Sequence, residues 1–265
     1  MRHHDGHANE GVTLIDGHVH VRPTFDVSYV LSAAVANFDR LADDAASAHH
    51  VLMLAESTSE ESFARLGGHD RPIGRWRFDG TDEPCVLHAE RDDGRRLTIV
   101  NGRQWTCDDK LEVLTMASDA RLDDGMPFEA CIEAGLEAGA VVVIPWGFGK
   151  WTGTRRDRVL AAIEQFGDRL VLGDSAARPG GSDPVLSAGR NKGLAVLPGT
   201  DPLPIRRHVR RVGRYALRLP GTPPKTGRMP WLEAQIRSSQ AGSRTIGSRD
   251  STLGAVMTQV RLRLG

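Results

Sequence analysis

Apolar and polar positions along this chain follow two periods, and the change between them divides it. Residues 12–21 (VTLIDGHVHV) are β-branched and apolar and predict a strand. Residues 26–49 carry an Ala- and Leu-rich helical pattern, and residues 51–56 (VLMLAE) form a short buried strand. A helical turn or two is expected at 60–66. Residues 76–116 lose the helical period. They alternate through RWRF, CVLHAE and RRLTIV, with DDG at 92–94 as a hairpin turn, so a β-rich excursion is expected there.

From Met126 helices and strands alternate at short spacing. Helices are expected at 127–138, 155–166 and 183–192, and strands at 141–146 (VVVIPW), 170–173 (LVLG) and 194–198 (LAVLP). Continuous apolar strands separated by helices are the pattern of βαβ units, with strands covered on both faces. Residues 219–228 and 238–251 are rich in Pro, Gly, Ser and Arg and read as loops. Closing helices are expected at 231–236 and 253–264.

The bulk numbers leave this picture standing. The chain has 265 residues, 40% hydrophobic and 26% charged, with a net charge of zero. An α/β barrel of one domain is commonly of this size. No apolar run has the length of a bilayer-spanning helix, the first residues lack the apolar core of a signal peptide, and Cys85, Cys107 and Cys131 form no CxxC pair. A soluble protein of the cytoplasm with free thiols is expected. Charge is uneven. Between Asp201 and Glu233 there is no acidic residue, while seven arginines and Lys225 fall at 206–228. That run either meets phosphates or solvates a surface and pairs with acids elsewhere.

Candidate chemistry sits at expected strand ends. His18 and His20 are two apart in a strand, so they project from one face, and two imidazoles so placed can hold one divalent metal. The alternative is two histidines packed on a half-exposed strand. LPGTDP at 197–202 puts the Asp201 carboxylate at another strand end, as a metal ligand, a proton acceptor or a local turn cap. Glu56 ends a third strand. WGFGKW at 146–151 brings glycines and Lys150 together after a strand, an arrangement that suits an anion. Arg22, Gln104 and Arg178 add polar groups at further strand ends. There is no GxSxG and no Walker A spacing. His3, His4 and His7 read as a flexible tail.

These segments resemble the PHP (polymerase and histidinol phosphatase) family. The likeness runs through IDGHVHV, LTIVNGRQWTCDDKLEVLTM, FEACIEAGLEAGAVVVIPW and LAVLPGTDPLP, over residues 12–215. It implies a distorted (β/α)7-8 TIM-like barrel of the PHP type. Residues 1–11 would then be a flexible N-terminal tail, 12–218 the barrel and 219–265 a C-terminal tail with closing helices. It also implies a metal-dependent hydrolase in which His18, His20 and Asp201 hold the metal and Asp201 and Glu56 serve catalysis. Arg22, Lys150, Arg178 and Gln104 would bind the substrate.

Several of the family's ligand positions are changed. Ala55-Glu56-Ser57 stands for Thr-Asp-His, Gln104 for a metal-binding Glu, Pro145-Trp146 for His-Pro, and Pro202-Leu203 follow Asp201 where a His is expected. What remains suits a single divalent ion (zinc, manganese or iron), or a pocket that has lost its metal and keeps a binding role. The expected ligand is an anionic small molecule such as a phosphate ester. Neither nucleic acid nor membrane is an expected partner.

Overall fold

A computed structural model of the chain describes residues 11–44, 46–239, 244–251 and 254. The proposed tail, with His3, His4 and His7, and almost all of the closing helix expected at 253–264 lie outside the described residues.

Strand β1 (Val12–Val19) leads into helix α1 (Val27–Leu41), whose first turn is capped by the Asp26 carboxylate accepting from Tyr29 N. The helix ends earlier than its sequence pattern predicts, because β2 (Ala48–Leu54) already takes up His49 and His50. After the short α2 (Ser62–Gly67) come β3 (Trp76–Gly80), β4 (Val86–Arg91), β5 (Arg96–Val100), β6 (Gly102–Thr106) and β7 (Glu112–Met116). These five strands are the expected β-rich excursion, and β4 and β5 are joined through Gly94 at φ +83°. The alternating part follows as α3 (Phe128–Glu137), β8 (Val141–Pro145), α4 (Gly153–Phe166), β9 (Leu170–Ser175), α5 (Pro184–Asn191) and β10 (Ala195–Gly199). A 3-10 helix (Arg206–Arg211), β11 (Tyr215–Pro220), α6 (Arg228–Ser238) and β12 (Thr245–Gly247) complete the described chain.

The strands form two mixed sheets, in the orders β12-β11-β1-β2-β5-β4-β3 and β10-β9-β8-β7-β6. This corrects the expected distorted (β/α)7-8 TIM-like barrel: among the described residues there is no closed barrel. A TIM-like barrel needs parallel strands joined all round by helical crossovers. Here β1–β2, β2–β5, β8–β9 and β9–β10 are parallel, but β1–β11, β3–β4, β4–β5, β6–β7 and β7–β8 are antiparallel. The chain passes from one sheet to the other at Asn101, between β5 and β6. A lone parallel bridge, Glu56 to Arg103, joins the sheets there. Nor were β11 and β12 expected; β12 falls in the segment 238–251 that reads as loop, and β11 runs into the start of the one at 219–228.

Each sheet buries its outer face under helices. Leu14, Leu52 and Trp76 pack with Val30, Leu31 and Phe38 of α1. Ile144, Leu172 and Val196 pack with Ile132, Val159 and Val185 of the helices on the second sheet. The inner faces meet through Ile15, Met53, Val143 and Leu197, and Met229, Leu232 and Ile236 of α6 complete this middle core. Arg237 of α6 donates to the carbonyls of Asp168 and Arg169, just before β9, so α6 covers the start of that strand. Among the described residues no helix is long and apolar enough to cross a membrane.

The sheets are also in close contact where β1 passes β10. A Cβ on Gly17 would fall 2.2 Å from Leu197 Cγ, and one on Gly199 would fall 2.4 Å from His18 Cβ. Glycine at both positions lets the strands touch by packing, without ladder pairing, at the end where both strands terminate.

Candidate metal centre

The pairing of β1 with β2 shifts register between Asp16 and Val19. This irregularity re-aims the end of the strand. Val19 packs outward into the α1 core, while His18 and His20 turn toward each other with their Nε2 atoms 3.1 Å apart. Asp201 Oδ1 lies 3.6 Å from each Nε2. Asp201 takes a left-handed backbone (φ +44°), and its N–H donates to His18 O at 2.8 Å. Asp tolerates this conformation better than most residues, and such strain is frequent at working sites. One ligand atom from each of the three residues lies within 4.8 Å of the others.

The donor chemistry fits a cation. Around a tetrahedral metal with bonds of about 2.0–2.1 Å, ligand atoms sit roughly 3.3–3.4 Å apart, close to the 3.1, 3.6 and 3.6 Å found here. Burial lowers the His18 pKa to about 4, despite the opposing charge of Asp201, so its imidazole is neutral, the metal-binding form. His20 Nδ1 lies 3.4 Å from Glu60 Oε2. A carboxylate behind a histidine fixes the proton on that nitrogen and points the other lone pair at the metal. Glu60 is buried, which alone would raise its pKa. Its bonds from His20 and Ser57 N and the nearby Arg22 charge outweigh this and bring it to about 2. Burial likewise opposes ionisation of Asp201, but His18, His20, Arg22 and Lys150 hold its carboxyl below the usual range.

A polar chain supports the other side. Gln104 Oε1 sits 3.0 Å from His18 Nε2, while Gln104 Nε2 donates to Glu112 Oε1 at 3.2 Å. Glu112 is in turn bound by Lys150 Nζ at 2.5 Å. Lys150 folds over Gly147, where a Cβ would fall 2.6 Å from its Cδ. Below the centre, the fully buried Asp16 accepts from Thr200 N (2.8 Å), Thr200 Oγ1 (2.5 Å), Gly213 N (2.9 Å) and His18 N (3.4 Å). Burial raises its pKa to about 6 against the pull of these donors.

The structure therefore gathers His18, His20, Asp201 and Gln104, with Arg22 and Lys150 near enough to act on Asp201. It places two of the expected residues differently. The Glu56 carboxylate accepts from Phe63 N at 2.7 Å and caps the start of α2. Arg178 binds Asp174 at 2.7 Å in a separate cavity with Tyr215 and Arg249. Sequence reasoning missed Asp16, Glu60 and Glu112. Glu60 had a legible signal: Ser57-x-x-Glu60 has the spacing of a capping box, and Ser57 N does donate to Glu60 Oε2 at 2.9 Å. Asp16 and Glu112 had none, since their partners come from distant segments.

No protein-family model matches the chain, and no curated protein matches it in sequence. Among solved structures it is similar to PsfC from Pseudomonas syringae PB-5123, with a TM-score of 0.57 and 16% identity over 96% of this chain and 100% of PsfC. It is also similar to the lesion-specific endonuclease PfuEndoQ from Pyrococcus furiosus, with a TM-score of 0.52 and 13% identity over 88% of this chain and 56% of that one. At these identities the likeness is one of fold.

Proposed function

We propose that this protein is a metal-dependent hydrolase acting on a phosphate ester or a related anionic small molecule. The observation that carries the reading is the group of His18, His20 and Asp201 ligand atoms, with Glu60 behind His20. These three residues would hold one divalent ion, zinc, manganese or iron, with Gln104 Oε1 as a neutral oxygen beside it. When bound, the ion would lower the pKa of water and neutralise charge on a phosphoryl group. The chain's own groups do the rest. Asp201 Oδ1 faces both histidines, which leaves Oδ2 as a proton acceptor. Arg22 and Lys150, each already beside a carboxylate, would orient the anion and offset its charge. The similarity of fold to an endonuclease is compatible with hydrolysis of phosphate esters; nucleic acid is not the ligand proposed.

The test is metal content of protein purified without a His tag, measured beside a His18→Ala/His20→Ala double variant, together with a phosphoester screen. About one ion per chain, lost in the variant along with turnover, is the expected result. Turnover that survives in the variant would overturn the reading.

A second reading is a catalytically silent relative that keeps the pocket to bind an anion. It is favoured by Gln104, which supplies an amide where the PHP pattern has a ligating carboxylate. Absence of metal from both proteins, with ligand binding retained, would establish it.

A further inference from the structure

The arginine-rich run divides in the folded chain. Arg211 and Arg214 are bound to Asp250, Arg218 to Asp43 at 2.6 Å, and Arg228 to Asp82 at 3.4 Å. The first three arginines are different. Arg206 and Arg207 are exposed, and among the described residues neither has a hydrogen bond or ion pair from its side chain. Among the described residues Arg210 has no carboxylate partner; its Nε donates to Tyr29 Oη at 2.8 Å, which holds the guanidinium in place.

All three line one groove of about 540 Å3 with Thr24, Phe25 and Tyr29. The groove's acidic member, Asp26, is engaged as the cap of α1. Tyr29 stands 46% exposed on the groove wall. Both walls lie close in sequence to the metal ligands: Thr24, Phe25 and Asp26 come a few positions after His20, and the Arg206–Arg211 helix a few after Asp201. Leu203 N donates to the buried His208 Nδ1 at 3.3 Å, which fixes that helix against the Asp201 loop.

Three guanidinium groups with no carboxylate partner converge on a cleft, and exposed cations left unmatched in a concave site attract anions. We infer that this groove is a binding site for a polyanionic small molecule, one bearing at least two phosphate-like groups. That its ligand is the substrate of the His18–His20–Asp201 centre rests on the function proposed for that centre. Its phosphate groups would lie on Arg206, Arg207 and Arg210. Tyr29 positions Arg210 and offers its ring to the rest of the molecule.

The experiment is calorimetric titration of inorganic tripolyphosphate and of orthophosphate into the full chain. It compares wild type, Arg206→Gln/Arg207→Gln and His18→Ala/His20→Ala, at low and moderate salt, with metal content measured on each. Tripolyphosphate should bind wild type more tightly than orthophosphate, and the arginine variant should bind it roughly tenfold or more weakly while keeping wild-type metal content and circular dichroism. Binding should weaken with salt. Unchanged tripolyphosphate affinity in the arginine variant overturns the groove whatever the metal content shows. Wild-type protein that holds no metal, with the arginine dependence intact, overturns the hydrolase and leaves the groove standing. A single-stranded oligonucleotide that binds far more tightly than tripolyphosphate overturns the small-molecule assignment.

Discussion

Asp16 and Thr200 lie 184 positions apart in the chain, yet the Asp16 carboxylate accepts both the amide and the hydroxyl of Thr200, at 2.8 and 2.5 Å. Thr200 precedes Asp201, so this contact decides where the third ligand stands relative to His18 and His20. Asp16→Ala is expected to leave four buried N–H or O–H donors unmatched. Unfolding in urea should show a loss of about 2–4 kcal/mol, and metal affinity should fall with it. A variant of wild-type stability would show that the contact positions nothing.

Glu60 acts on the centre through His20 and also holds Arg22. Glu60→Gln keeps the volume and removes the charge that fixes the Nδ1 proton. Metal affinity is expected to fall about 10- to 100-fold, measured by competition with a chromophoric chelator. Binding as tight as wild type would remove Glu60 from the site.

Asp201→Asn separates ligation from backbone conformation. Asn tolerates the left-handed region about as well as Asp, so thermal unfolding should shift little from wild type with φ at +44°. The metal should be lost or held far more weakly. A large fall in melting temperature would mean that the Asp201 carboxylate has a structural role of its own.

The strand contact beneath the site predicts an asymmetry between two glycines. A Cβ at position 199 meets His18 backbone nitrogen at 2.5 Å, whereas one at position 17 meets the Leu197 side chain. Backbone cannot move aside as a leucine rotamer can. Gly199→Ala should therefore cost about 3 kcal/mol or more and Gly17→Ala about 1–3 kcal/mol, read from denaturant unfolding. The reverse order would show that the two strands do not touch as described.

Stability should fall on mild acidification. Burial lowers the pKa of His18, His49, His50 and His208 from 6.5 to about 4. Below pH 6.5 the unfolded chain takes up protons that the native state refuses. Stability present above that pH is lost as it falls toward 4. Asp16, raised from 3.8 to about 6, acts with the opposite sign: it favours the native state at low pH and loses that contribution as pH rises through 6. His88 is lowered as well, and burial raises Glu56 and Glu112 as it does Asp16, so five histidines act against three carboxylates. Urea midpoints should be lower at pH 5 than at pH 7, and His50→Gln should reduce the difference. A higher midpoint at pH 5 would contradict these burials.

The strands and helices were legible where one local pattern suffices. Residues 12–21 and 51–56, the β-rich stretch 76–116 and the alternation after Met126 all lie on or near observed elements, because period and turn residues act over a few positions. The two-residue spacing of His18 and His20 correctly put them on one face, and Gly-Thr-Asp correctly put Asp201 at a strand end. What tertiary structure alone decided was how strands far apart in sequence pair. The antiparallel β1–β11 ladder and the crossing at Asn101 produce two sheets where the alternation implied a barrel. The same holds for charge. The Asp174–Arg178 pair, four residues apart, was within reach of the sequence, but no local signal tells that Glu112 meets Lys150, or that Asp250 engages Arg211 and Arg214 while Arg206 and Arg207 are left to solvent. Local periodicity determines which residues share a face. Which faces and charges meet is set by packing between distant segments, whose geometry a linear pattern does not contain.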